Sequence, residues 1–128
     1  MHMPYDDPTR QEPLKYIVME SNLLIAEDIC GALLARGPCR LVKVATHEEL
    51  QDVVTPGGPV AAMFLEMRFD DLMASPVYPA LLLTGAKIVL TVGEDDEAAV
   101  LDQGWAMLVR PFTEDMIHGS LRTAVREI

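Results

Sequence analysis

The chain has 128 residues, half of them hydrophobic, and its 10 basic and 20 acidic side chains give a formal charge of −10. That length suits one domain, and half-apolar content with a positive mean hydropathy excludes a disordered acidic tail, which needs low hydrophobicity as well as high charge. The negative balance argues against nucleic acid or an anionic membrane as a direct partner, because those affinities rest on Lys and Arg contacts to phosphates; a basic protein or a cation stays open.

Residues 1–13, with Pro4, Pro8 and Pro13 among mostly polar neighbours, read as a flexible N-terminal arm, and residues 14–128 as the domain. The arm lacks the basic region and apolar core of a signal peptide, and no apolar stretch is long enough to span a bilayer, so a soluble, cytoplasmic protein is expected. Cys30 and Cys39 are too few for a disulfide scaffold and are expected as reduced core thiols.

The ordered pattern opens with a buried strand at Leu14 to Met19. Asn22 is placed to cap a helix whose stripe Leu23, Ala26, Ile29/Cys30, Leu33/Leu34 recurs at helical spacing until Gly37-Pro38 stops it. Cys39 to Val44 alternates like a half-buried strand, and Thr46 with Glu49 forms a capping box for a short second helix. Thr55 to Pro59 is turn chemistry. Val60 to Leu65 is the most apolar run and suits a central strand; Arg68 to Asp71 then reads as a polar loop. One helix is expected over Leu72 to Leu83, weakened by Pro76 and Pro79. Lys87 to Thr91 is a fourth strand, an acidic helix start follows at Glu94 to Glu97, and Trp105 to Val109 is a fifth strand with Trp105 in the core. Thr113 caps a last helix with Glu114 and Asp115 in its first turn. Strand and helix alternate five times, which predicts an α/β fold with a parallel sheet covered on both faces.

In open parallel sheets, ligands bind at the carboxyl ends of the strands. Glu20, Ser21 and Asn22 follow the first strand, Glu66 the third, Thr91 ends the fourth and Arg110 the fifth. If the strand order is 2-1-3-4-5, Glu20 and Glu66 become neighbours, with Thr91 and Arg110 flanking Glu66. There is no Gly-x-Gly-x-x-Gly, P-loop or Gly-x-Ser-x-Gly elbow, and His2, His47 and His118 lack metal-ligand spacing. Asp70, Asp71 and Glu94 to Glu97 read as solvated.

Four blocks carry a family resemblance: IVMESNLLIAEDI (Ile17 to Ile29), FLEMR (Phe64 to Arg68), IVLTVG (Ile88 to Gly93) and LVRPF (Leu108 to Phe112). In this order and spacing, from about Lys15 to Ile128, the chain resembles a bacterial response-regulator receiver domain. The resemblance implies a flavodoxin-like, doubly wound (βα)5 fold with a five-stranded parallel sheet of order 2-1-3-4-5. It implies two-component signalling, with Glu66 at the phosphoacceptor position, Glu20 and Ser21 at the acidic pair, Thr91 at the Ser/Thr position, Arg110 at the Lys of the Lys-Pro-Phe motif and Met107 at the aromatic switch.

The departures from the family pattern carry the functional expectation. Glu66 stands where the family has Asp, Ser21 where it has a metal-binding acid, and Arg110 where it has Lys, whose point charge Arg does not reproduce. No cofactor is expected; any Mg²⁺ affinity would rest on Glu20 and Glu66 and be weak, since a hydroxyl offers Mg²⁺ little for its tightly held water. Glu66 is expected to pair with Arg110 and hold one state. The expected function is an atypical, non-enzymatic, stand-alone receiver-like domain that contacts a signalling protein, either a histidine kinase or an output protein. A homodimer through the fourth helix, fifth strand and fifth helix, roughly Asp95 to Arg126, is a further expectation. The alternative is a working Mg²⁺-dependent phosphoacceptor served by a histidine kinase or phosphotransfer protein.

Overall fold

Five runs of apolar residues pair in parallel: β1 (Leu14–Met19), β2 (Cys39–Val44), β3 (Ala62–Leu65), β4 (Lys87–Leu90) and β5 (Ala106–Met107). The computed structural model describes residues 13–55 and 58–122. The sheet order is β2-β1-β3-β4-β5, as the resemblance implied. The N-terminal arm up to residue 12, Pro56 and Gly57 of the expected turn, and the end of the last helix from residue 123 lie outside the described residues.

Successive strand residues face opposite sides of a sheet, and the apolar residues sort accordingly into two clusters. Tyr16, Val18, Ala62, Phe64, Val89 and Ala106 pack with Ile29, Cys30 and Leu33 of α1 (Leu23–Leu34) and Ile117 of α6 (Glu114–Arg122). Ile17, Met19, Met63, Leu65, Ile88, Leu90 and Trp105 pack on the other side. Their partners there are Leu50 of α2 (His47–Val54), Leu72 of α3 (Phe69–Met73), Leu81 of α4 (Tyr78–Leu83) and Val100 of α5 (Glu97–Asp102). Trp105 is buried as expected, with its ring against Phe69 and Tyr78. Both cysteines are free thiols.

The caps are built as the sequence signals them. Asn22 Oδ1 accepts from the N–H groups of Leu24 and Ile25, Thr46 Oγ1 from Glu49, and Thr113 Oγ1 from Met116. The reciprocal arm of the Thr46 box shifts by one residue: Glu49 accepts from the Ala45 N–H at 2.6 Å.

Four expected elements are corrected. Arg68 to Asp71 is not a polar loop, because α3 already starts at Phe69; Asp70 and Asp71 in its first turn favour the helix dipole. The single helix expected over Leu72 to Leu83 is two, α3 and α4, broken at Ser75-Pro76-Val77. Pro76 has no N–H for a helical bond, and Ser75 Oγ instead accepts from the Val77 N–H. The fifth strand is only Ala106–Met107 rather than Trp105 to Val109, although the Leu108 N–H still donates to Leu90 O. The acidic run expected to open a helix at Glu94 forms a 3₁₀ turn, Glu94–Asp96, before α5.

Candidate functional site at the carboxyl end of the sheet

The pairing register sets Met19, Leu65, Leu90 and Met107 level on neighbouring strands. Glu20, Glu66 and Thr91, one residue further on, form the next row, and each N–H still donates across to the adjacent strand: to Val44 O, Met19 O and Leu65 O respectively. By strand alternation this row turns toward the face covered by α1 and α6. Arg110 lies two residues beyond Leu108, which packs in that same cluster. The four candidate residues thus converge because they share parity and register.

Glu20 is 4% exposed. Arg110 Nη2 donates to its Oε1 at 2.7 Å, and the Asn22 N–H donates to its Oε2 at 3.1 Å. Arg110 is also anchored at β4: Nε donates to Thr91 O at 3.1 Å and Nη2 to Thr91 Oγ1 at 3.3 Å. Thr91 is buried, and its hydroxyl donates to Leu65 O at 3.4 Å. The guanidinium carbon sits 6.0 Å from the centre of the Phe112 ring. The guanidinium therefore reaches from β5 over β4 to the buried acid of β1.

Glu66 is half-buried and takes a different partner. Its Oε1 accepts from the Ser21 N–H at 2.8 Å and from Ser21 Oγ at 2.9 Å. This corrects the expected Glu66–Arg110 pair. A carboxylate shielded from water needs an ionic or charge-assisted partner more than one that keeps its water, so Arg110 goes to Glu20 and neutral donors suffice for Glu66.

Asn22 follows Glu20 and Ser21 at the end of β1 as the sequence places it, whereas two further neighbours of the site, Arg68 and Phe112, are not singled out there. The Asn22 N–H supports Glu20 from within the same turn. Arg68, just after β3, pairs with Asp96 at 3.6 Å, and its stem lies against Gly93, where an added Cβ would meet Arg68 Cγ at 3.3 Å. Gly93 has φ +82, so backbone freedom and close approach both favour glycine there. Phe112 lies beside the Arg110 guanidinium; its place in LVRPF was the only hint. Met107 is half-buried and packs against the α2–α5 side of the core, away from the Glu20 row.

Asp70 and Asp71 are exposed and join no cation cluster: among the described residues no three His, Cys, Asp or Glu side chains gather in a geometry that could hold a metal ion. His47 is exposed, and His118 Nε2 lies 2.8 Å from Ala32 O, tying α6 to α1.

No protein-family model matches the chain, and no curated protein matches its sequence. Among solved structures it is similar to that of HP1043, an orphan response regulator of H. pylori, with 10% sequence identity, a TM-score of 0.67, and 88% of this chain and 97% of that chain covered. At that identity the likeness is one of fold, and the chain has the flavodoxin-like, receiver-like fold of a response regulator.

Proposed function

We propose that this chain is an atypical receiver-like signalling domain that works through contact with a partner protein in the cytoplasm, without phosphoryl chemistry of its own and without a resident metal. The observation that carries this is the Arg110–Glu20 pair, 2.7 Å long, with the Glu20 side chain 1% exposed. Mg²⁺ demands near-octahedral oxygen ligands and is held in phosphoryl-transfer sites by one or two carboxylates plus phosphate oxygens. Here one carboxylate already answers to a guanidinium and a backbone N–H, and the other to Ser21, which is neutral. That donor set does not fit Mg²⁺. Without a metal, nothing in the row neutralises the charge of an incoming phosphoryl group except Arg110, which is held by Glu20 and Thr91.

An internal cation in place of a metal gives one arrangement of the mouth that needs no donor to maintain it. The test is incubation with acetyl phosphate and Mg²⁺ while intact mass is followed. The expected result is an unmodified protein. A stoichiometric phosphoryl adduct that disappears in Glu66→Gln would instead establish a working phosphoacceptor.

A further inference from the structure

Acidic side chains outnumber basic ones 20 to 10 in this chain, and its surface hollows bear that out with one exception. The hollow beside the end of β2 is lined by Glu20, Glu27 and Glu49. Those along α1 and α6 are lined by Asp28, Glu27 and Glu114. Where a base joins them its charge is already answered, Lys43 by Glu27 and Arg110 by Glu20. The opposite, amino end of the sheet differs. A hollow of about 390 Å³ lies there among the first residues of β1 and β2 and the turn at Gly58 and Pro59. Lys15 and Arg40 line it, and among the described residues no carboxylate does.

Register brings the two bases together. Lys15 and Arg40 are level partners on β1 and β2, so both side chains leave the sheet on one face, from backbones about 4.8 Å apart. Like charges so placed repel. Among the described residues no carboxylate pairs with Lys15. The remaining wall is largely apolar, from Pro13, Leu14, Val60 and Ala61 with the ring of Pro59. Pro13 and Pro59 have no N–H to donate, so the two basic side chains are the charge-assisted donors of the hollow. Leu14, 57% exposed, leaves an aliphatic side chain in water at its rim.

We propose that this hollow binds an organic oxyanion, a phosphate monoester or carboxylate carried on a short apolar body. An ammonium beside a guanidinium fork suits one oxyanion headgroup, and the body would lie on Leu14 and Pro59. The volume is that of a small-ligand site. A bound anion would also relieve a repulsion that the strand register creates, so it should stabilise the folded chain. The site lies at the far end of the sheet from the Glu20–Arg110 mouth, and the inference goes beyond the reading of the domain as a contact module without resting on it.

The test follows backbone amide signals of the full chain by NMR while hexyl phosphate, hexanoate, inorganic phosphate and hexylammonium are added in separate titrations. Hexyl phosphate or hexanoate is expected to bind saturably, with shifts gathered at Leu14, Lys15, Arg40 and Val60, and the tighter of the two names the headgroup. Inorganic phosphate should bind at least about fivefold more weakly than hexyl phosphate, because it brings no apolar surface to bury. Hexylammonium should not bind. Lys15→Gln should weaken the tighter ligand about tenfold, the loss of one charge-assisted hydrogen bond, with no fall in the denaturation midpoint of the unliganded chain. Arg40→Gln should weaken it similarly, and serves alone should the lysine variant fail to fold. Lys43→Gln, the same change in charge outside the hollow, should leave binding within about twofold because salt screens it. Equal weakening by Lys43→Gln and Lys15→Gln would overturn the inference, as would binding of hexylammonium or shifts centred on the carboxyl end of the sheet. So would inorganic phosphate binding as tightly as hexyl phosphate, or no saturable binding of either hexyl compound at millimolar concentration. A phosphoryl adduct in the mass experiment would sink the proposed function and leave these results unchanged.

Discussion

Glu20 and Glu66 are the same side chain, one residue past two neighbouring strands, level in register and turned to the same face. The buried one holds the guanidinium of Arg110, although β5 lies two strands from β3 and three from β1. The half-buried one, nearer in strand order, settles for a hydroxyl and a backbone N–H. The difference teaches that ion pairing at a sheet mouth follows desolvation rather than strand adjacency. Thr91 makes the longer reach possible, because its carbonyl and hydroxyl carry the guanidinium across β4.

That contrast can be broken most severely at Glu20. Glu20→Ala leaves a guanidinium whose side chain is 30% exposed without its carboxylate, and chemical denaturation should register a loss of about 3 kcal/mol, the low end for a broken buried pair. An unchanged midpoint would mean that water reaches the pair freely. Replacing both partners, Glu20→Leu with Arg110→Met, removes the desolvated charges together. The double variant should be more stable than the sum of its single variants by about 2 kcal/mol, measured as a double-mutant cycle. Strict additivity would show that the two side chains do not act on each other.

Glu66 should be far more tolerant. In Glu66→Gln an amide oxygen can still accept from Ser21, and Ser21→Ala keeps the backbone N–H donor, so each should cost about 1 kcal/mol or less. A larger loss at Glu66 than at Glu20 would reverse the ranking of the two acids.

The mildest check concerns the two thiols, another buried and half-exposed pair on the α1 side of the sheet. Burial pushes the Cys30 thiol up, with Lys43 pulling partly the other way, and a raised thiol holds less of the reactive thiolate at mildly alkaline pH. A maleimide should therefore label Cys39 first, with Cys30 following only as the fold opens. Equal labelling rates by peptide mass mapping would mean that α1 does not shield Cys30.

The sequence by itself determined much of this protein. Short apolar runs separated by capped helical stripes specified alternating strands and helices, because period and capping are local properties that a single segment expresses alone. Asn22, Thr46 and Thr113 stand where their side chains accept from the first turn of a helix. Sequence position together with strand parity was also enough to bring Glu20, Glu66, Thr91 and Arg110 to one end of the sheet.

Only the tertiary structure decided which of them pair. Glu20 is buried at the end of β1 among Leu23, Ala26, Lys43 and Val44, with Arg110 on its carboxylate, and no local pattern states how much water such a side chain keeps. The same holds for the break at Pro76. Two prolines in one helical stretch look alike in sequence, yet Pro79 sits in the first turn of α4, where its missing N–H costs little. Pro76 falls where a helix would need that donor, and Ser75 was free to close the turn instead. The acidic balance, finally, is legible as a number in the composition, but its location is not. Glu27, Asp28 and Glu114 come from two segments far apart in the chain, and they line one groove because α1 and α6 are laid side by side on the same face of the sheet.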